Sequence, residues 1–323
     1  MRPRKLKSLA YLTRDAIGIM ANRDYFHRRL TLGKYFEDKR SYYVEIAYKA
    51  DWRGQLVDGL PTLFIPDKNQ RIVFPGMVLQ YGLGCIDRYF MTGDIRWTEP
   101  IRRVYDWALS VVAAEPFFPN HFQLISSKQA FYSDNSAMTQ GLALSFISRV
   151  VKSDVIGVNR SDAVNALRKS YESLARPAHE GGGTLYEGDD VILYEYCRPD
   201  NYIVLNGWIY AAFGVFDYLN VVDDPSARRL LDATVESLVR RLDQFIIPAS
   251  CWSYYDNKGR RTSFVYHVEH IRQLEAMQLL TGRDEFLSAA VRMKKGYTPF
   301  NIVKYTLNKA MDKISDSASY TTS

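Results

Sequence analysis

The stretch VLNGWIYAAFGVFDYLNVVDD, residues 204–224, decides the fold. It has the length of a helix and is apolar on every side, and a helix that is hydrophobic all round belongs in an interior. Asp224-Pro225-Ser226 then gives a helix start signal. The run from Ser226 to Phe245 that follows is amphipathic, as a helix with one face in water should be. An inner helix and its outer partner therefore follow one another directly in the chain.

The same pairing occurs three more times, at a spacing of about sixty to seventy residues. Inner runs begin near Met77 (MVLQYGLGCIDRYFMTGD), Ser136 (SAMTQGLALSFISRVVKSD) and His267 (HVEHIRQLEAMQLLTGRD), and their amphipathic partners are Glu99–Ala114, Ser161–Ala175 and Asp284–Lys295. Hairpins of this kind bury their inner faces against one another, which predicts a mainly α fold, an α/α toroid or barrel of about four helical hairpins. Connections within a pair are short, whereas 115–135, 177–203 and 246–265 are long. In an alternating ring these three loops emerge at one end, where inner helices begin, and wall a cleft. Ahead of the barrel, SYYVEIAY (residues 41–48) and the turn-rich segment after it predict short strands. The expected organisation is an arm and small β-containing segment over 1–72, the α/α barrel over 73–310 and a tail over 311–323.

Composition excludes the unusual classes. With 323 residues, 47% hydrophobic and 24% charged, the chain has material for a sizeable core. A net charge of +6 and a pI near 9.0 favour anionic partners. The 23 tyrosines and 5 tryptophans favour sugars among these, because aromatic faces stack on pyranose rings and phenols bond the rim. No nucleic-acid motif accompanies the basic balance. Cys85, Cys197 and Cys251 are odd in number and widely spaced, which suggests neither a disulfide framework nor a metal site and implies a reduced, cytoplasmic setting. Arg14 and Asp15 interrupt the first apolar run before it reaches the length of a leader or a membrane span, so a soluble protein is expected. The basic first twenty residues leave contact with an anionic membrane surface open, and apolar outer-helix surface permits a homodimer.

The three long loops and the inner-helix starts hold the suggestive chemistry. Glu195 lies between Tyr194 and Tyr196 after an apolar run; it is either a partly desolvated acid–base group or a loop carboxylate paired with Arg198. Tyr254, Tyr255 and Tyr266 lie in WSYYDNKGRRTSFVYHV, which reads as a hairpin. There they either pack across strands or face the cleft. Arg260 and Arg261 are solvated turn charges or a carboxylate clamp. His267 and His270 share a helix face, but no third ligand is spaced for a metal, so no metal and no cofactor are expected. Glu180 and the three glycines after it read as a flexible lid, without the Lys-Ser/Thr of a phosphate loop. Gly82, Gly84, Gly141, Gly207 and Gly214, inside inner helices, each cost about 1 kcal/mol relative to alanine. Close helix packing or approach of a substrate to the backbone accounts for them, and Gln80, Gln140 and Asn206 nearby suit the second.

Five motifs in register carry a resemblance. QYGLG at 80–84, SAMTQG at 136–141, YEY at 194–196 with VLNGWIYAAFGVFDYL at 204–219, SYYD at 253–256 and YHVEHIRQL at 266–274 resemble the C-terminal catalytic region of D-glucuronyl C5-epimerases, over roughly residues 40 to 300. The resemblance implies conversion of D-glucuronate to L-iduronate in an acidic polysaccharide of heparosan type. By motif it gives acid–base roles to Glu195, Tyr196, Tyr255 and Tyr266. Gln80, Tyr81, Gln140, Arg198, Asn206, Tyr254, Arg261 and His267 are the candidates for holding the sugar. Three departures from the animal members stand out: their long β-domain and membrane anchor are not expected here, Cys197 follows Glu-Tyr where proline is usual, and the segment after SYYD is shorter and lacks the usual arginine directly after it. A polysaccharide lyase, which starts from the same C5 proton abstraction, and a non-catalytic glycan-binding protein are the competing readings.

Overall fold

The computed structural model describes residues 40–65, 68–122 and 129–318, with backbone alone for 309–318. Expectations for residues 1–39, for part of the 115–135 loop and for the tail from 319 lie outside the described residues. The remainder is mainly helical. Its contacts separate two compact units, residues 40–241 and residues 242–318.

The first unit opens with a three-stranded antiparallel sheet of β1 (Leu56–Val57), β2 (Leu60–Ile65) and β3 (Gln70–Val73) in sequence order. SYYVEIAY is not one of its strands. Tyr42, Tyr43 and Val44 are fully buried, Tyr43 lies 4.7 Å from the Phe213 ring, and Ala47–Ala50 turns into a 3-10 helix. The aromatic residues that suggest a strand pack onto a helix instead.

Three hairpins follow: α1 (Pro75–Thr92) with α2 (Thr98–Ala114), α3 (Ala137–Ser153) with α4 (Arg160–Ala175), and α5 (Leu205–Leu219) with α6 (Pro225–Arg241). Their ends are set locally. Pro75 opens α1, and Gly93, left-handed at φ 68°, closes it. Ser136 caps α3 by accepting from the Thr139 N–H, Asn159 caps α4, and Asp224 accepts from the Ser226 and Ala227 N–H groups at the start of α6. The first helix of each pair is the more deeply buried, as the sequence predicts.

The three inner helices run parallel. Gly76 lies beside Thr139 and Gly82 beside Phe146, which aligns α1 with α3; Gly141 lies against Ala211, and Arg149 is bonded to Asp217, which aligns α3 with α5. At the closest crossing a Cβ on Gly141 would fall 2.5 Å from Ala211 Cα, and one on Gly214 would strike the Gly141 backbone. The helical glycines there serve close packing. At the C-terminal ends, Arg149 donates from Nε to Asp217 Oδ2 and from Nη2 to Oδ1, both at 3.1 Å, and also to the Arg40 and Ser41 carbonyls, while the Tyr43 hydroxyl donates to Asp217 at 2.9 Å. A charged pair this deep holds only because each group is so fully bonded.

The second unit contains α7 (Phe264–Thr281) paired with α8 (Asp284–Gly296), then α9 (Pro299–Ala318), a helix that continues past residue 310. The inner helix begins at Phe264, ahead of the expected start near His267, so Tyr266 belongs to its first turn and not to a strand. Between 252 and 262 only the isolated bridges Ile246↔Ser253 and Tyr254↔Arg261 form.

Removing one partner of the buried pair tests this packing. Asp217→Ala should lower unfolding free energy by about 3–5 kcal/mol, because it strands the Arg149 charge. Urea unfolding measures the loss, and a change under about 1 kcal/mol would show that the pair does not hold α3 to α5.

Candidate active site

The long connection 177–203 contains an antiparallel hairpin, β4 (Thr184–Glu187) and β5 (Asp190–Leu193), turned by Gly188 at φ 57°. It is fastened to α6: Val191 N–H donates to Ser237 Oγ, Thr234 Oγ1 donates to the Val191 carbonyl, and Arg240 and Arg241 both hold Asp190. The glycine run before it is packed and is not a lid. Gly182 and Gly183 are buried, and a Cβ on Gly182 would overlap the Arg176 carbonyl. Their small size lets the chain pass between α4 and the start of α3.

Beyond β5 the backbone is anchored at nearly every residue. Tyr194 N–H donates to the Gly183 carbonyl at 2.8 Å, and the Tyr194 carbonyl accepts from Ala137 N–H at 2.7 Å. Cys197 donates its thiol to the Gly182 carbonyl at 3.1 Å, and burial pushes that thiol up to about 12, which makes it a packing group and not a nucleophile. Between these anchors stand Glu195 and Tyr196, both half-buried. The Tyr196 ring is held between Phe122 at 5.1 Å and Tyr202 at 5.9 Å.

Glu195 lies directly on the first turn of α5. A Cβ at Gly207 would fall 2.6 Å from Glu195 Cβ and 2.9 Å from Cγ, and would overlap the carboxyl oxygen Oε2. No residue but glycine admits the side chain there. The positive end of the helix dipole and the N–H groups of its first turn favour negative charge at this place. The alternative reading of Glu195 as the partner of Arg198 is overturned: the Arg198 guanidinium forks onto Asp200 at 2.9 and 2.7 Å and stacks 4.4 Å from the Tyr202 ring.

The other candidates of this unit divide. Asn206 is buried on the turn of α5 that carries Gly207. Gln140 is fully buried and bonds inward, to Asn135 Oδ1 at 3.0 Å and the Phe118 carbonyl at 3.4 Å, so it ties the preceding loop to α3. Gln80 is half-buried and Tyr81 buried, both in the second turn of α1.

In the second unit Tyr255 and Tyr266 come together, with ring centroids 5.1 Å apart and edge to face. Arg260 stands 4.6 Å over the Tyr255 ring and pairs at 3.0 Å with Asp256, whose other oxygen accepts the Lys258 and Arg260 N–H groups. The guanidinium is thus fixed where it stabilises negative charge beside the phenol. Arg261, the candidate chosen from sequence, is exposed and backbone-paired opposite Tyr254; Arg260 is the arginine that reaches Tyr255. The signal was the turn at Gly259, which sets 260 across from 255 and 261 across from 254. His267 is corrected as well. It is fully buried, stacked 3.9 Å from Trp252, accepting from Ser253 N–H at Nδ1 and therefore donating from Nε2 to the Met293 carbonyl, and burial lowers it to about 3. A neutral imidazole so enclosed joins α7 to α8 and does not meet a sugar. No group of three or more metal-ligating side chains occurs among the described residues.

The family model for the D-glucuronyl C5-epimerase C-terminus matches residues 122–295. The chain belongs to that family. The matched span of this epimerase-family chain includes Glu195, Tyr196, Tyr255 and Tyr266 and leaves out Gln80 and Tyr81. No curated protein matches by sequence. Among solved structures, an inactive variant of an α-1,6-mannanase from Salegentibacter sp. HEL1_6, in complex with α-1,6-mannotriose, is 11% identical with a TM-score of 0.50, over 78% of this chain and 68% of that one. That likeness shows the fold, an α/α barrel. An unsaturated glucuronyl hydrolase from Bacillus sp. GL1 is 11% identical with a TM-score of 0.40, over 70% of this chain and 61% of that one. No helix among the described residues is long and apolar enough to cross a membrane.

The seat of Glu195 is testable. Gly207→Ala should displace Glu195, whose Cβ as well as carboxyl must move against an anchored backbone, at a cost of about 1–3 kcal/mol in stability, and cut C5 exchange in a glucuronate polymer about a hundredfold. Unchanged exchange would remove Glu195 from the chemistry.

Proposed function

We propose that the protein is a polysaccharide uronate C5-epimerase that converts D-glucuronate to L-iduronate residues in a heparosan-like acidic polymer. One observation carries this reading: in a chain of the epimerase family, the Glu195 carboxyl is seated against Gly207 at the start of α5 and flanked by Tyr196. Family membership suggests the reaction, and the seat gives it a group able to move a proton.

Inversion at C5 has two steps. A base removes the C5 proton, which lies α to the carboxylate, and the electron pair of the C–H bond passes into the carboxylate to give an enediolate. An acid then returns a proton to C5 from the opposite face, and the carboxylate is restored. We assign one face to Glu195 with Tyr196 and the other to Tyr255 or Tyr266. Arg260, beside Tyr255, suits the extra negative charge of the enediolate. Neither step uses a metal-bound intermediate or a redox change. Asn206 and Tyr254 remain candidates for positioning the sugar.

Incubation with heparosan in D2O tests the proposal. The expected result is deuterium at C5 together with L-iduronate signals and no unsaturated uronate. Ultraviolet absorbance from an unsaturated product would instead make the protein a lyase, and a complete lack of deuterium in heparosan and other uronate polymers would leave glycan binding as its role.

A further inference from the structure

A second feature of the first unit is unconnected with Glu195. A solvent-open groove of about 620 Å³ lies between the outer helices α4 and α6 and the outer side of the β4–β5 hairpin. Glu172 from α4, Arg176 just past its end, Tyr186 and Val191 from the hairpin, and Ser226 and Arg229 from α6 line it. This volume is in the range of sites that hold small ligands or a short segment of a longer one.

Tyr186 is 47% exposed, an unusual setting for a large aromatic side chain, and its ring is not loose: the hydroxyl donates to the Ala175 carbonyl at 2.7 Å. It offers a fixed flat face. Arg176 and Arg229 are exposed and have no carboxylate partner among the described residues. The contrast with Arg240 and Arg241 is direct, since both of those are committed to Asp190 on the same hairpin. With Glu172 as the one acid in the lining, two guanidiniums leave the groove net positive. An aromatic platform with unpaired guanidiniums beside it fits a pyranose ring that carries a carboxylate.

We propose that this groove binds a second stretch of the acidic polysaccharide, with a sugar ring on Tyr186 and uronate carboxylates on Arg176 and Arg229. It rests on the reading of the protein as a polymer-acting uronate enzyme. The groove lies apart from the converting site: Val191 precedes Glu195 by four residues, about 13 Å of extended chain. A long chain engages both places, whereas a short oligosaccharide reaches one, and the second contact raises the effective concentration of polymer at the first.

The test is the Arg176→Ala/Arg229→Ala double variant, whose substitutions lie on the surface and should leave the melting temperature unchanged. With long heparosan, KM for C5 exchange should rise about tenfold at constant kcat, while kinetics on a heparosan hexasaccharide stay as in the parent. The variant should also lose most of the salt dependence of KM on the long polymer. Binding is measured separately, by retardation in gels containing heparosan. A parent that is retarded and a variant that is not support the groove even if no exchange is ever detected, in which case the epimerase reading alone fails. Equal retardation of the two proteins, equal KM on the long polymer, or no retardation of the parent would overturn the groove.

Discussion

Helix α5 lacks side chains at two points on its surface, and the first unit is built around those two absences. At Gly214 the missing side chain lets α3 come into backbone contact at Gly141; at Gly207 it lets Glu195 lie on the first turn. Both contacts need glycine for space, since neither residue has a left-handed backbone. Each glycine in a helix costs about 1 kcal/mol against alanine. One cost is offset by close packing of two inner helices, and the other is met by placing a carboxyl where a helix start favours its charge. Structure and chemistry thus draw on the same helix, at opposite ends of which lie Glu195 and the Arg149–Asp217 pair.

The repeat of apolar and amphipathic runs made the helical hairpins legible, because a helix without a polar face has nowhere to go but inward. Element ends were nearly as clear where a cap marks them, as at Ser136, Asn159 and Asp224. What misled was aromatic residues outside the repeat. Tyr42 and Tyr43 look like strand residues, yet they pack under Arg149, which lies 5.0 and 4.8 Å from their rings, a contact more than a hundred residues away in sequence. Tyr266 looked like part of a hairpin because nothing at Ser263 announces a helix with a side-chain cap. The glycines at 181–183 suggest mobility, but Gly182 and Gly183 are required by close approach of the Arg176 and Ala137 backbones and Gly181 by its left-handed backbone at φ 84°.

The candidate site was legible in part for the same reason. Glu195 stood out by its neighbours, and the family motifs singled out Tyr196, Tyr255 and Tyr266. Their supports did not show. That Glu195 needs Gly207, that Arg260 and not Arg261 covers Tyr255, and that His267 spends both ring nitrogens on Ser253 and Met293 are facts of three-dimensional packing. In each case the sequence leaves more than one reading open, and packing chooses: the gap at Gly207 for Glu195, the register of the turn for Arg260, and burial for His267. The supports also explain how loop residues become precise: Tyr194, Cys197 and Asp256 have their backbone or side-chain groups bonded on both sides of the acid–base candidates.

The central claim is that two different groups serve the two faces of the sugar. It is tested most directly by isotope release from two polymers, one labelled with deuterium at C5 of D-glucuronate and one at C5 of L-iduronate, using Glu195→Gln and Tyr255→Phe, with Tyr266→Phe beside them. The account predicts a crossed pattern: Glu195→Gln suppresses release from one epimer far more than from the other, and one of the tyrosine variants shows the opposite preference. Suppression of both epimers by Glu195→Gln, with both tyrosine variants releasing label from both polymers at the parent rate, would mean that a single group does all the proton transfer and would contradict the account.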